Sequence, residues 1–557
     1  MSFYYVQTGG TRTSGASTAG DWSAANCYGS IQDALDETSD GDSVVLDDED
    51  WIVSSDIVST SLAFDGTVLI RSRSMNPDRA SLKSSSNSVG VFRFLNTGNT
   101  QDFIVHGFTL GKTVIHTGAT AAPICQAAQQ TGHLTFRDCI VEDVVYETTR
   151  NGAGGLVHQA SGASTKSLTF DNVKIRRISH KSTAATSYIA AINAGHTFRV
   201  LGTLIIEDVS AGGINFGGVY CAGPIDIQGK VVGRRINVDA AGSTVALIVQ
   251  SGNNATVLGD VDAEGVRAVG STTRACVLDI SGPATFRSIK TRNCESVATT
   301  NTAGLGCTVV VDTSNGTLTG PLLDVAECRS NYGPALYCTQ GGSATIDVIR
   351  TCRNQCYMGD VYKGGDGDLT AYCYDCDSPA YLVNEDELPT EASRGGLALY
   401  THAHSSAGRV CATTIYNFTT NADGALPPVH VRNNQGTHAT SLSIYNSIVW
   451  AEGAKSQVIG TSSGSAAAIN LTITDTAIRG GASGVEDGGA TTLNTTTARL
   501  VSQAPALDAN RRPTGSEYRE AGRPVPKIGH KDADLLPFKS APTLGAREIS
   551  AFAREAA

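Results

Sequence analysis

The sequence predicts an all-β protein built as a parallel β-helix, a solenoid of stacked coils. Three observations lead there. The chain of 557 residues is rich in Gly, with 60, while only 17% of residues are charged and 6% are aromatic. Ser, Thr, Ala, Asn and Val make up much of the rest, a composition poor in strong helix formers. A short segment with apolar residues at alternate positions recurs along the chain at steps of roughly 25–34 residues, the range of solenoid repeats. The gaps between copies carry Gly-Gly, Ser-Gly, Asn-Gly and Asn-Asn, which are turn signals.

The clearest copies run from Leu134 to Val141 and from Leu168 to Ile175. A looser one spans Phe198 to Ile206, and others begin near Ile225, Thr256, Thr285, Leu318, Thr345 and Leu369. Late copies are Leu442 to Ile448 and Leu471 to Ile478. Alternation means strand, with one face buried and one solvated. An Asn, Asp or Thr breaks the alternation about four residues in, where such a side chain can turn the strand and satisfy backbone groups. One coil cannot bury its inner face alone, whereas stacked coils share a core. A propeller would need blades of about 40–45 residues with Trp-Asp or Gly-His signals, which do not recur here.

An open solenoid end needs a cover. Ser30 followed by Ile31 to Asp36 reads as a capping helix, with Ser30 as N-cap, Asp33 in the first turn and Ile31, Ala34 and Leu35 as its apolar face. Gly41-Asp42 ends it, and Ser43 to Leu46 begins the first coil. The expected organisation is an N-terminal cap over 1–42 and a β-helix over 43–500. An inserted loop is expected near 377–407, and an irregular Pro-rich closing segment over 501–557, since prolines cannot donate to a sheet ladder.

These residues resemble a known group. Tyr4 to Gly10, Trp22, Ser30 to Leu35 and Gly41 to Val44 are similar to the opening of right-handed, single-stranded parallel β-helix proteins. That group includes pectate-lyase-like enzymes and many bacteriophage tail spikes. Ala504 to Asp508, Arg523-Pro524 and Leu544 to Glu548 resemble its closing segment. The resemblance covers nearly the whole chain and implies the fold far more than an activity, because this architecture hosts lyases, hydrolases, isomerases and inert spikes. It implies a homotrimer, contacts with other phage tail or capsid proteins, and binding to a host cell-surface glycan. No motif fixes the position of a pectate-lyase calcium site or catalytic Arg; Arg176-Arg177 and Arg234-Arg235 are basic pairs near strands.

The net charge of −11 lacks the basic footprint of a nucleic-acid binder. No stretch reaches the roughly 18 apolar residues of a membrane span. The first residues lack the basic and apolar regions of a signal peptide. The chain is then expected either in the cytoplasm or leaving the cell another way; the tail-spike resemblance implies a virion, made in the host cytoplasm and released by lysis.

For chemistry, the densest acidic run lies at Asp360, Asp366, Asp368, Asp375 and Asp377, continuing to Glu385, Asp386 and Glu387. Glycoside hydrolysis needs two carboxyl groups about the scissile bond, and uronate lyases need a base with a cation or metal. A solvated turn explains the same residues. Gly364 to Leu369 is similar to a calcium-binding nonapeptide around Asp366, one residue short and in a single copy. Cys352, Cys356, Cys373 and Cys376 have a spacing able to ligate zinc. The reading preferred for the 14 cysteines is a buried ladder of stacked thiols, with Cys139, Cys294, Cys328 and Cys352 at similar places in their coils. A disulfide formed after release from the cell is the remaining alternative. His402, His404, His430 and His438 are clustered in sequence; a metal or general-base role is one reading, and a surface turn is the default expectation.

Three functions follow. The first is a virion protein of tail-spike or tail-fibre type that binds host polysaccharide and, where catalytic, depolymerises it. The second is a free polysaccharide lyase or glycoside hydrolase, and the third a non-catalytic capsid or tail decoration protein.

Overall fold

A computed structural model describes residues 1–507 except 59–64, 88–89, 95–100, 113–114, 116–121, 128–131, 149–154, 160–165, 183–186, 190, 240–244, 253, 271–274, 299–305, 312–315, 331, 339–340, 357–358, 366, 378–397, 404–410, 423–426, 434–437, 452–453, 455, 463–466, 491, 503 and 505–506. The chain is a parallel β-helix, divided into two compact units, Met1–Ser271 and Thr272–Ala557.

In the first unit each full coil contributes strands to three parallel stacks. One stack holds Phe3–Val6, Ser43–Leu46, Gly66–Ser72, Gln101–His106, Leu134–Arg137, Ser167–Asp171, Thr197–Val200 and Ile225–Ile227. The second holds Asp50–Val53, Ser81–Ser84, Thr109–Lys112, Ile140–Thr148, Val173–Ser182, Thr203–Gly212 and Lys230–Asp239. The third is made of short strands, among them Phe92–Phe94, Cys125–Ala127, Val219–Cys221 and Ile248–Gln250. Alternate residues of each strand point inward: Leu134 and Phe136 are buried, while Thr135 and Arg137 are not. Phe136 stacks on Phe170 at 5.6 Å between ring centroids, and Phe170 meets Phe198 at 5.8 Å.

The corner between the first two stacks uses the residues the repeat singled out. Asp138 and Asn172 adopt left-handed backbone conformations, with φ of 47° and 55°. Asn172 Oδ1 accepts the Thr203 N–H at 3.3 Å, so its side chain ties the corner to the next coil. Asn and Asp tolerate this conformation because a short polar side chain can bond locally.

The expected helix forms, capped at Glu37 rather than ending at Gly41-Asp42. The helix is Ile31–Asp36, the Ser30 hydroxyl accepts the Asp33 N–H at 3.3 Å, and Ile31, Ala34 and Leu35 are buried. Gly41, at φ +77°, takes a conformation that any Cβ would strain. The strand Phe3–Val6, ahead of this helix, pairs in parallel with Ser43–Leu46, so the sheet begins before the helix does.

The second unit repeats the plan with longer bent strands, Pro283–Arg292, Thr317–Ala326, Ser343–Cys352 and Leu369–Asp377. Later coils carry Cys411–Tyr416, Thr440–Tyr445, Ile469–Ile478 and Leu493–Val501. A facing stack runs from Leu278–Ile280 through Val361–Gly364 and Leu399–Ala403 to Val485–Asp487. Within the span expected as an inserted loop, Leu399–Ala403 is thus a regular coil strand. Of the expected closing segment, Leu507 packs against Ile448, Trp450 and Ala477; residues 508–557 lie outside the described residues.

Candidate functional site

The outer face of the second stack in the first unit carries a column of charged side chains in register. Ile52 stands beside Lys83, Lys83 beside Gly111, and Gly111 beside Glu142; Arg176, Glu207, Arg234 and Glu264 continue the column. From Glu142 onward the signs alternate. Glu142 bonds Arg176 at 2.7 Å, and Arg234 bonds Glu264 at 2.6 Å. A second column stands beside it at the next corner. Arg177 Nε donates to Asp143 at 2.6 Å and Arg235 Nε to Asp208 at 2.6 Å, all four with positive φ. The Arg177 hydrogen bond holds the Asp143 carboxyl below the usual range, and Arg235 does the same for Asp208. The basic pairs noted in the sequence are therefore rungs of ion-pair ladders.

The ladder is interrupted at Gly111. A Cβ there would lie 2.8 Å from the Glu142 carbonyl oxygen and 3.5 Å from the Lys83 side chain. The column thus carries no side chain at this position, where the backbone packs closely, and an open cleft of ≈ 450 Å³ lies along this face. Asp48, Asp50 and Asp78 line it as acceptors, with Arg79, Lys83 and Arg176 as donors. Its residues come from turns and strands of successive coils, which fixes their spacing by the sheet itself.

Three of the carboxylates, Asp48, Asp50 and Glu142, are already engaged. Asp48 accepts the backbone N–H and the hydroxyl of Ser74, both at 2.9 Å. Asp50 accepts the Ser81 hydroxyl, and Glu142 is held by both Arg176 and Arg177. Lys83 makes no ion pair among the described residues. A cleft of mixed donors and acceptors, with little apolar wall, is suited to grip a polyhydroxylated chain.

The acidic run expected to carry chemistry is distributed differently. Asp360 is fully buried, and its Oδ2 accepts from the Cys376 thiol at 3.3 Å, with Cys356 Sγ at 4.0 Å from Oδ1. Asp375 is buried in register with Arg350, itself 3.8 Å from Asp324. Asp368 lies at a turn, accepting the Ala412 N–H at 3.2 Å. Asp366 and the Asp377 side chain lie outside the described residues, as do Glu385, Asp386 and Glu387. The structure does not bring Asp360, Asp368 and Asp375 to one outer groove; an external polymer cannot reach Asp360.

The other expected sites resolve locally. Cys356 and Cys376 flank Asp360, while Cys373 packs with Leu322 and Val348, so the four cysteines of the zinc spacing are not one cluster. Among the described residues no group of three or more His, Cys, Asp or Glu is arranged to hold a metal ion. Near the calcium-like turn, the buried Lys363 ammonium donates to the carbonyls of Gly365 at 2.6 Å and Gly364 at 3.3 Å. His430 is buried rather than on a turn, with Nε2 2.8 Å from the Thr461 hydroxyl, because it lies within the strand Val429–Asn433. His438 contributes its carbonyl to Asn433, and the remaining two histidine side chains lie outside the described residues. Cys139, Cys294 and Cys328 are buried as the thiol-ladder reading expects, while Cys352 is half-buried.

The cleft has a sequence signature that the acidic run obscured. Glu142-Asp143, Arg176-Arg177, Glu207-Asp208 and Arg234-Arg235 are like-charged pairs whose sign flips at each repeat. Aligning them exposes the column, and Gly111 then stands out as its gap.

Fold and cleft define a parallel β-helix protein with a polar surface groove on a charge-laddered face. Comparison with protein-family models, with curated proteins and with solved structures gives no match.

Proposed function

We propose that the chain is a bacteriophage virion protein of tail-spike or tail-fibre type, which grips host-surface polysaccharide in the cleft lined by Lys83, Glu142 and Arg176. On this reading it works as a homotrimer, together with other tail or capsid proteins, and resides in the virion. The observation that carries the proposal is the interruption of the ion-pair ladder at Gly111, which leaves Lys83 beside an open groove of acceptors. The β-helix fold supports it by holding these groups on strands in fixed register.

The test is binding of the purified protein to a panel of capsular polysaccharides and lipopolysaccharides. A charge-assisted hydrogen bond contributes about 1.5–3 kcal/mol, so Lys83→Ala should weaken binding about tenfold or more with an unchanged circular dichroism spectrum. Equal binding by the variant, or no binding to any glycan, would sink the proposal. New reducing or unsaturated ends in the same reactions would favour the enzyme reading instead.

A further inference from the structure

The second unit holds a ring of thiols in its interior. Cys276 and Cys307 face each other on adjacent coils, in a register set by the Ala275–Gly306 bridge and the pairing of Leu278 with Val309. Their sulfurs are 3.2 Å apart. Across the interior, Cys294 and Cys328 occupy the same two coils, tied by the Arg329 N–H donating to the Cys294 carbonyl at 2.8 Å. The four thiols lie near enough to influence one another's ionisation, Cys276 and Cys328 each being lowered by hydrogen bonding to Cys294 and Cys307. All four side chains are buried.

We infer that this ring is a redox modification site, in which peroxide joins Cys276 and Cys307 in a disulfide across two coils. The geometry favours a covalent bond over a shared metal. Sulfurs at about 2.3 Å around a tetrahedral zinc lie about 3.8 Å from one another, wider than the 3.2 Å contact. Paired residues on adjacent coils, with side chains turned to the same interior, also meet the requirement that a disulfide forms without moving the backbone far.

The ring also supplies the nucleophile. Burial opposes ionisation of Cys276, but hydrogen bonds from Cys294 and Cys307 outweigh it and bring this thiol down to about 7. Hydrogen bonding to Cys276 pushes Cys294 up and burial pushes Cys307 up, while Cys328 is lowered like Cys276; the Cys276 thiol also donates to the Cys307 carbonyl, a bond it gives up on ionising. The Cys276 thiolate attacks one oxygen of hydrogen peroxide; the O–O bond breaks, and hydroxide takes up a proton and leaves as water. Cys276 is then a sulfenic acid. The Cys307 sulfur attacks it, the S–O bond breaks, and a second water leaves with the Cys307 proton. Two thiols have lost two electrons and two protons, and one peroxide has become two waters. Peroxide is close to water in size, so it needs only small openings of the coil stack.

The test treats the folded, full-length protein with dilute hydrogen peroxide, quenches it, unfolds and alkylates it, and maps unreduced peptides by mass spectrometry. The expected result is a linked peptide pair carrying Cys276 and Cys307, with two fewer alkylated thiols and Cys139 still fully alkylated. In Cys276→Ala this pair is lost and any linkage moves to Cys294 and Cys328. Recovery of both Cys276 and Cys307 as free thiols would overturn the inference, as would their conversion to sulfinic acids or a first linkage elsewhere. The wild-type map decides the matter even where the variant fails to fold.

Discussion

Truncating Phe170 tests whether the aromatic column of the first unit is its interior. Phe170 is fully buried and lies between Phe136, stacked at 5.6 Å, and Phe198 at 5.8 Å. Phe→Ala at a buried site costs about 3–5 kcal/mol through lost transfer energy and a residual cavity. Each aromatic pair adds about 0.5–1.5 kcal/mol beyond area burial. Two such pairs are lost at once, so Phe170→Ala should fall near the top of that range, about 4–5 kcal/mol. Hydrogen bonds fix the coil spacing, so the neighbouring rings cannot move together to fill the gap. Urea unfolding followed by circular dichroism supplies the free energy. Hydrogen exchange of peptides from 134–200 then localises the loss, because each coil of a solenoid contacts only its neighbours. Thr135→Ala, on the outer side of the same strand stack, should change little. A Phe170→Ala loss below about 1 kcal/mol, or one no larger than that of Thr135→Ala, would refute the assignment of this face to the core.

Other outcomes follow from the same reasoning. Asn172→Val should cost about 1–2 kcal/mol in urea unfolding, since a branched residue resists the left-handed conformation, and Asn172→Gly should cost less. Asp143 and Asp208 have folded-state pKa values depressed by Arg177 and Arg235. Their contribution is therefore present above the unfolded carboxylate value of about 4 and is lost as pH falls below it. Unfolding measured from pH 6 to pH 3 should show a shallower acid loss in Arg177→Ala, and salt should shrink the difference. Burial pushes the Cys139 thiol up to about 12, so iodoacetamide at pH 8 should leave it unlabelled until the chain unfolds, read by peptide mass.

The fold was legible because its signal is local and repeated. Leu134 to Val141 and Leu168 to Ile175 alternate cleanly, and the polar residues that break the pattern, Asp138 and Asn172, take left-handed corners. Ser30 and Asp33 marked the start of the helix for equally local reasons, while its end falls at Asp36, ahead of the expected Gly41-Asp42. The site was harder, since a β-helix makes function from residues one coil apart rather than from neighbours in sequence. The run from Asp360 to Asp377 looked dense along the chain, yet Asp360 is buried at a bend ahead of Val361–Gly364 and Asp368 is exposed just before Leu369–Asp377. Lys83, Gly111 and Glu142 are far apart in sequence and adjacent in register. Periodicity reveals which face a residue occupies, but a gap in a column appears only after the coils are aligned.

Hydrogen exchange of the protein with and without a bound host polysaccharide tests the central claim most directly. Binding in the cleft predicts slowed exchange in peptides covering 48–53, 77–84, 109–112 and 140–142, with the rest of the first unit unchanged and the protection lost in Lys83→Ala. Protection centred instead on 360–377, or none at a saturating glycan concentration, would contradict the account.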